Sequence, residues 1–318
     1  MIETPHVFGS YENLYGIHRE RIKTFECGAS DSIKSKTAVL MLTPGMLGNA
    51  GPYRLHVELA ESLSHRGIAS FRFDLSGIGE SLAVGNRGTS LQRAAHEVRQ
   101  AIDLLEQEHG YDQYILFGLC SGADDAIVAA LADHRIVGAS LMDGCGYQTR
   151  SHSMGLLRRK YLPKVLSFQK WLEQLKRILP NHENSSATMP LGLDVREFPD
   201  REQSEREIKS LINRSVKLQF IYTSGVIDYY SYEKQFYDMF PALRDRPEIT
   251  VIYRSQWDHT LMVKEDRSEL VQMVSHWVES TLVAGLKVTV SSQDQVTAHD
   301  GVAKAVLSSA LVTAALCD

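Results

Sequence analysis

The sequence predicts an α/β fold: a mostly parallel sheet with helices on both faces and a helical cap inserted in it. Three observations carry this. Short, continuously apolar runs such as Ala38-Val39-Leu40-Met41-Leu42-Thr43 read as strands buried on both faces. These runs alternate with segments of helical period, the pattern of parallel sheets covered on both sides. The alternation also pauses once, between about residues 144 and 214, and then resumes.

The elements follow in order. The first thirty residues hold short β-prone stretches, Leu14 to Ile17 and Arg21 to Phe25, among Gly9, Gly16 and Gly28, which predicts a hairpin-rich start. After the run ending at Thr43, Pro44-Gly45 breaks the strand, and a helical pattern runs from about Tyr53 to Arg66. Ala69 to Phe73 is a second buried strand, ending in Asp74-Leu75-Ser76-Gly77-Ile78-Gly79-Glu80-Ser81. Thr89 or Ser90 can cap a helix whose apolar stripe is Leu91, Ala94, Ala95, Val98, Ile102 and Leu105. Gln113 to Phe117 is a strand that meets Gly118, Ser121 to about Ala132 a helix, and Val137 to Met142 the next strand.

The inserted stretch begins with a helical pattern over Ser151 to Leu179. That part is rich in Arg158, Arg159, Lys160, Lys164, Lys170, Lys176 and Arg177. Pro180 to Glu207 is polar and mostly acidic, with Pro190 and Pro199 as breakers. Strands resume at Val216 to Tyr222 and Glu248 to Tyr253, followed by a helix from about Lys264 to Leu282. The predicted organisation is a core of 1–143 and 215–284, a cap (lid) of 144–214, and a tail of 285–318 whose Val302 to Leu316 is helical.

With 318 residues, 43% of them hydrophobic, the chain can bury one sizeable core. A net charge of −5 gives no basic field, so nucleic acid is not an expected partner. Met1-Ile2-Glu3-Thr4-Pro5-His6 lacks the basic, apolar pattern of a secretory signal, and no run is long enough to span a bilayer. A soluble, cytoplasmic protein is the expectation. Cys27, Cys120, Cys145 and Cys317 are far apart, with no Cys/His spacing that suggests zinc. Neither a metal nor a cofactor is called for, and reduced thiols are expected.

In Gly118-Leu119-Cys120-Ser121-Gly122 a strand hands over to a helix, the context of a nucleophile elbow with cysteine in the central place. Small neighbours suit the strained turn, and the helix N-terminus favours a thiolate. Asp124 and Asp125 in the first helical turn oppose that charge, which makes a histidine partner more necessary. The competing reading is a buried structural cysteine in a glycine-bearing turn. His259, in Trp257-Asp258-His259-Thr260, follows the last strand and precedes a helix, a place from which a general base can reach the elbow. A carboxylate is needed to hold the imidazole tautomer. Asp228, after the Thr223-Ser224-Gly225 turn, is preferred, and Asp143, at the end of an earlier strand, is the alternative acid.

From about Val7 to Val278 the chain resembles the α/β-hydrolase superfamily, in the branch of serine aminopeptidase-like and exosortase-system-associated hydrolases. The resemblance rests on Pro44-Gly45-Met46-Leu47-Gly48, the Asp74-x-x-Gly77-x-Gly79-x-Ser81 loop, the elbow at Cys120, Asp228 and His259. It implies an α/β-hydrolase fold and an oxyanion hole from the backbone N–H groups of Met46 and Ser121, with Leu47 as the alternative to Met46. The chain departs from the family at Pro44, where many members carry histidine, and at Cys120, where most carry serine.

The expected chemistry is cleavage of a small-molecule ester or thioester through an acyl-cysteine. Transfer of the acyl group to an amine, alcohol or carbon nucleophile, as in an acyltransferase or thioesterase-like cyclase, is the second reading. A non-catalytic binding scaffold is the third. Asp74 and its glycines read as structural. The basic cap residues are either a solvated face or a landing strip for the phosphates of coenzyme A or an acidic acyl carrier protein.

Overall fold

The computed structural model describes residues 3–22, 29–84, 88–149, 151–152 and 199–283. Beyond residue 152 the predicted helix Ser151–Leu179 lies outside the described residues, as do the predicted helix Val302–Leu316, most of the cap and the tail. Eight strands form one sheet: β1 (Glu3–Phe8), β2 (Leu14–Arg19), β3 (Thr37–Leu42), β4 (Ala69–Phe73), β5 (Gln113–Leu119), β6 (Ile136–Met142), β7 (Lys217–Thr223) and β8 (Ile249–Arg254). Their spatial order is β1-β2-β4-β3-β5-β6-β7-β8. The β1–β2 hairpin is antiparallel to β4, and every pairing from β4 through β8 is parallel.

The described helices are α1 (Ala29–Ser35), α2 (Leu55–His65), α3 (Ser90–His109), α4 (Ser121–Ala132), α5 (Arg201–Asn213), α6 (Gln235–Met239) and α7 over residues 264–283. The strand pattern explains why they divide between two faces. All six residues of β3 are buried, and alternation sends Ala38, Leu40 and Leu42 to one side and Val39 and Met41 to the other. The first side packs against α3 (Val98, Ala101, Ile102, Leu105), α4 (Ala123, Ala126, Ala129, Ala130) and α5 (Ile208, Leu211, Ile212). The second packs against α2 (Leu55, Leu59, Leu63) and α7 (Leu270, Val274, Val278). Each fully buried side chain of this size stabilises the fold by about 1.5–3 kcal/mol relative to exposure.

Helix starts follow local chemistry. Thr89 opens α3 with a capping box, its side chain accepting from the Gln92 N–H while the Gln92 side chain accepts from the Thr89 N–H. Asp200 caps α5 by accepting from the Gln203 N–H. α5 falls inside the stretch assigned to the cap, yet its Ile208, Leu211 and Ile212 belong to the main core. Of the polar, acidic stretch read as cap, residues 201–207 are the first half of this amphipathic helix, which packs on α4. Arg21 and Ile22 are not in a strand, and the rest of the predicted Arg21–Phe25 stretch lies outside the described residues. Among the described residues no helix is long and apolar enough to cross a membrane.

Candidate active site

The C-terminal ends of β3, β5, β6, β7 and β8 share one edge of the sheet, the edge where ligand crevices of parallel sheets lie. Cys120 sits there, between β5 and α4, with φ 57 and ψ −121, a backbone strain of order 1–3 kcal/mol for a residue other than glycine. Its N–H donates to the Met142 carbonyl at 2.8 Å. Close approach fixes the neighbours of this turn. A Cβ at position 118 would stand 2.2 Å from the Gly122 carbonyl oxygen, and one at position 122 would stand 2.6 Å from the Leu42 carbonyl oxygen. The Ser121 hydroxyl accepts the Gly45 N–H at 2.7 Å and so ties the loop after β3 to the elbow.

His259 Nδ1 lies 2.8 Å from Asp143 Oδ2, and the imidazole also hydrogen-bonds the Cys120 side chain. The Asp143 carboxylate raises the imidazole pKa most, the Cys120 side chain adds to it, and together they outweigh burial and push it up to about 10. Asp143 is fully buried and has φ 50, a left-handed backbone that aspartate tolerates better than most residues. Its Oδ1 accepts the Thr223 N–H at 2.8 Å and its Oδ2 the Thr223 hydroxyl at 2.6 Å. The acid is therefore held by two donors from β7 before the imidazole adds a third.

The preferred acid of the sequence reading, Asp228, is not brought to the imidazole; Asp143 is. The cause is the chain path after β7. A 3-10 turn at Ser224–Val226 carries the chain outward, and Asp228 ends exposed with its carbonyl accepting from Gln148 Nε2 at 2.9 Å. The glycine in this turn has another use. A Cβ on Gly225 would stand 2.4 Å from His259 Cβ and 2.6 Å from His259 N, so the absence of a side chain there lets the β8 loop close down. Ser224 completes the clasp, its N–H and hydroxyl donating to the Trp257 carbonyl at 3.2 and 2.8 Å. Gly225→Ala is expected to lower kcat by about a hundredfold, the cost of displacing a reacting group by an ångström, while the circular dichroism spectrum stays unchanged. Steady-state kinetics on the folded variant check it.

Thr223 and Gly225 enter the sequence reading only as the turn before Asp228, not as the residues that hold Asp143 and admit His259. The available signal for Thr223 was a polar residue ending the apolar strand Leu218 to Tyr222, where it faces a buried group. Of the residues expected to form an oxyanion hole, Met46 and Leu47 lie in the exposed loop after β3. The Leu47 N–H is committed to the Pro44 carbonyl at 3.1 Å, which weighs against it as the alternative donor. The Met46 and Ser121 N–H groups have no backbone acceptor among the described residues. Asp74 is fully buried, and its Oδ2 accepts from Asn49 Nδ2 and the Glu80 N–H at 2.9 and 3.1 Å. It organises two loops below the elbow. Cys145 donates its N–H to Asp124 Oδ1 at 3.0 Å.

The fold so described is the α/β-hydrolase fold. The family model for serine aminopeptidase, S33, matches residues 34–188. Solved structures give the same architecture. An esterase of Pyrococcus furiosus is 14% identical, with 88% of this chain and 91% of that one covered and a TM-score of 0.54. The α/β hydrolase GrgF of a Penicillium species is 12% identical, with 89% and 100% covered and a TM-score of 0.54. An α/β serine hydrolase without a lid from Xanthomonas campestris is 13% identical, with 87% and 94% covered and a TM-score of 0.51. No curated protein matches the chain.

Proposed function

We propose that this protein is a hydrolase that cleaves a small-molecule ester or thioester through an acyl-cysteine, with Cys120 as nucleophile, His259 as acid and base, and Asp143 as the orienting acid. The observation that carries the reading is a single imidazole hydrogen-bonded to both the Asp143 carboxylate and the Cys120 side chain. An imidazole held this far up fits a thiolate–imidazolium pair better than a neutral base waiting on a hydroxyl.

In acylation the Cys120 thiolate attacks the carbonyl carbon, and the Ser121 and Met46 N–H groups receive the oxyanion. The His259 imidazolium gives its proton to the departing oxygen or sulfur, leaving a thioester on Cys120. The thiolate charge that helped raise the imidazole is then gone, so the ring becomes a base suited to taking a proton from water. Hydroxide attack releases the acid and restores the pair.

The mouth of the site supports an apolar acyl group. Met46, Tyr53, Leu82, Ile227 and Met262 are all exposed, and all follow strand ends on the same edge, Tyr53 in the 3-10 turn Pro52–Arg54 and the others in loops. The basic residues Arg158 to Arg177, on which docking of coenzyme A or an acyl carrier protein depends, lie outside the described residues.

The test is incubation with p-nitrophenyl butyrate and with a short acyl thioester, followed by intact-mass and peptide analysis. Turnover with a butyryl group on Cys120 is the expected result. No turnover and no adduct overturns the reading in favour of a binding scaffold. Transfer to an added amine in preference to water makes the protein an acyltransferase.

A further inference from the structure

Three histidines meet far from Cys120. His6 is on β1, His18 on β2, and His109 is the last residue of α3. α3 leaves the C-terminal side of β4 and delivers the chain to the start of β5 at Gln113, so its last turn lies at the sheet edge opposite the elbow. One ligand-capable atom from each of the three rings lies within 4.8 Å of the others. Each ring also keeps one buried nitrogen with no hydrogen-bond partner among the described residues: His6 Nε2, His18 Nδ1 and His109 Nε2. Buried polar atoms without partners are costly and rare, and three in one cluster of rings point to something that uses their lone pairs.

We propose that His6, His18 and His109 bind a divalent transition-metal ion, zinc in the first instance, that ties the β1–β2 hairpin to the end of α3. Metal ligation requires neutral imidazoles. Burial, helped by the other two rings, holds His18 down at about 3, and burial also lowers His109.

The second nitrogens are oriented as metal-binding histidines require. Glu108 Oε2 lies 3.2 Å from His6 Nδ1, and the Tyr111 hydroxyl lies 3.1 Å from His18 Nε2. Glu20 and Glu108 both bear electrostatically on His109 and offset part of the charge of a dication. An all-imidazole donor set suits Zn²⁺, Ni²⁺ or Cu²⁺ rather than Mg²⁺ or Ca²⁺. Tetrahedral zinc places its nitrogens about 3.3 Å apart, so binding draws the nitrogens together, turns His18 out of its stack on His109 (ring centroids 4.0 Å apart), and leaves a fourth position for water or a carboxylate.

The experiment uses the untagged full chain, stripped with chelator and titrated with Co²⁺, then Zn²⁺. We expect one equivalent of Co²⁺ with visible bands of tetrahedral nitrogen–oxygen ligation, displaced by Zn²⁺, and a Zn²⁺-dependent rise in Tm. His18→Gln and His109→Gln are expected to weaken binding by at least about a hundredfold, more than loss of an outer-shell partner does, while Cys120→Ala leaves it unchanged. X-ray absorption at the zinc edge of the loaded native chain reads the ligands without any variant, and imidazole scattering is expected. No saturable binding by the native chain overturns the proposal. Sulfur scattering, binding lost in Cys120→Ala, or binding that persists in both histidine variants overturns it as well.

Discussion

Asp143→Asn is expected to lower kcat by about 10⁴-fold, the scale seen when the acid that holds a catalytic imidazole is made neutral, whereas Asp228→Asn leaves it within a factor of about two. The side chain at 143 accepts three hydrogen bonds, from the Thr223 N–H, the Thr223 hydroxyl and His259 Nδ1. An amide has one carbonyl oxygen for those donors and presents an NH₂ to the rest. The imidazole then loses both its orientation and the charge that most strongly holds its proton. Asp228 makes no such contact, and its exposed side chain can become an amide at little cost. Parallel kinetics on the two variants decide between the acids. Equal losses, or a larger loss at 228, would remove Asp143 from the mechanism.

Cys120→Ala is expected to remove about 10⁶-fold of kcat, the scale of deleting a covalent nucleophile, while Cys145→Ala changes it little. The thiol at 120 is the only sulfur among the described residues placed against the imidazole. Cys145 instead lies beside Tyr147 and is held through its backbone by Asp124 and the Tyr222 hydroxyl. A second readout separates loss of the nucleophile from a general disturbance. Because the Cys120 side chain helps raise the His259 pKa, the variant's imidazole should titrate at lower pH than the native one, as NMR of the ring nitrogens would record. An unchanged titration would mean that thiol and imidazole are not coupled.

Much of the fold was legible in the sequence because its strands are buried on both faces and therefore read as continuous apolar runs. Ala69–Phe73 and Ser121–Ala132 coincide with the observed strand and helix to the residue. The elbow was legible because two glycines flank Cys120 between a strand run and a helical run, although only Gly118 is forced locally, by the Gly122 carbonyl; Gly122 is forced by the Leu42 carbonyl of β3. The pairing of acid to imidazole was not, since Asp143 and Asp228 both follow strands and both have a turn beside them. Only the outward path of Ser224–Val226 and the clasp of Thr223 on Asp143 separate them, and both are tertiary facts. The amphipathic stripe of α5 was present in the sequence but was overlooked among its charges. The histidine trio left no trace in spacing, because its members come from two strands and a helix end and are joined only by the hairpin register and the length of α3.

The sulfur, carboxylate, threonine and imidazole are supplied by four neighbouring strands, β5 to β8, in chain order, and the carboxylate and imidazole are 116 residues apart. Until the last strand docks, a chain leaving the ribosome carries the thiol and the acid with nothing to take the thiol's proton. On the proposed mechanism, the order of the strands withholds reactivity from partly assembled molecules until β8 is in place.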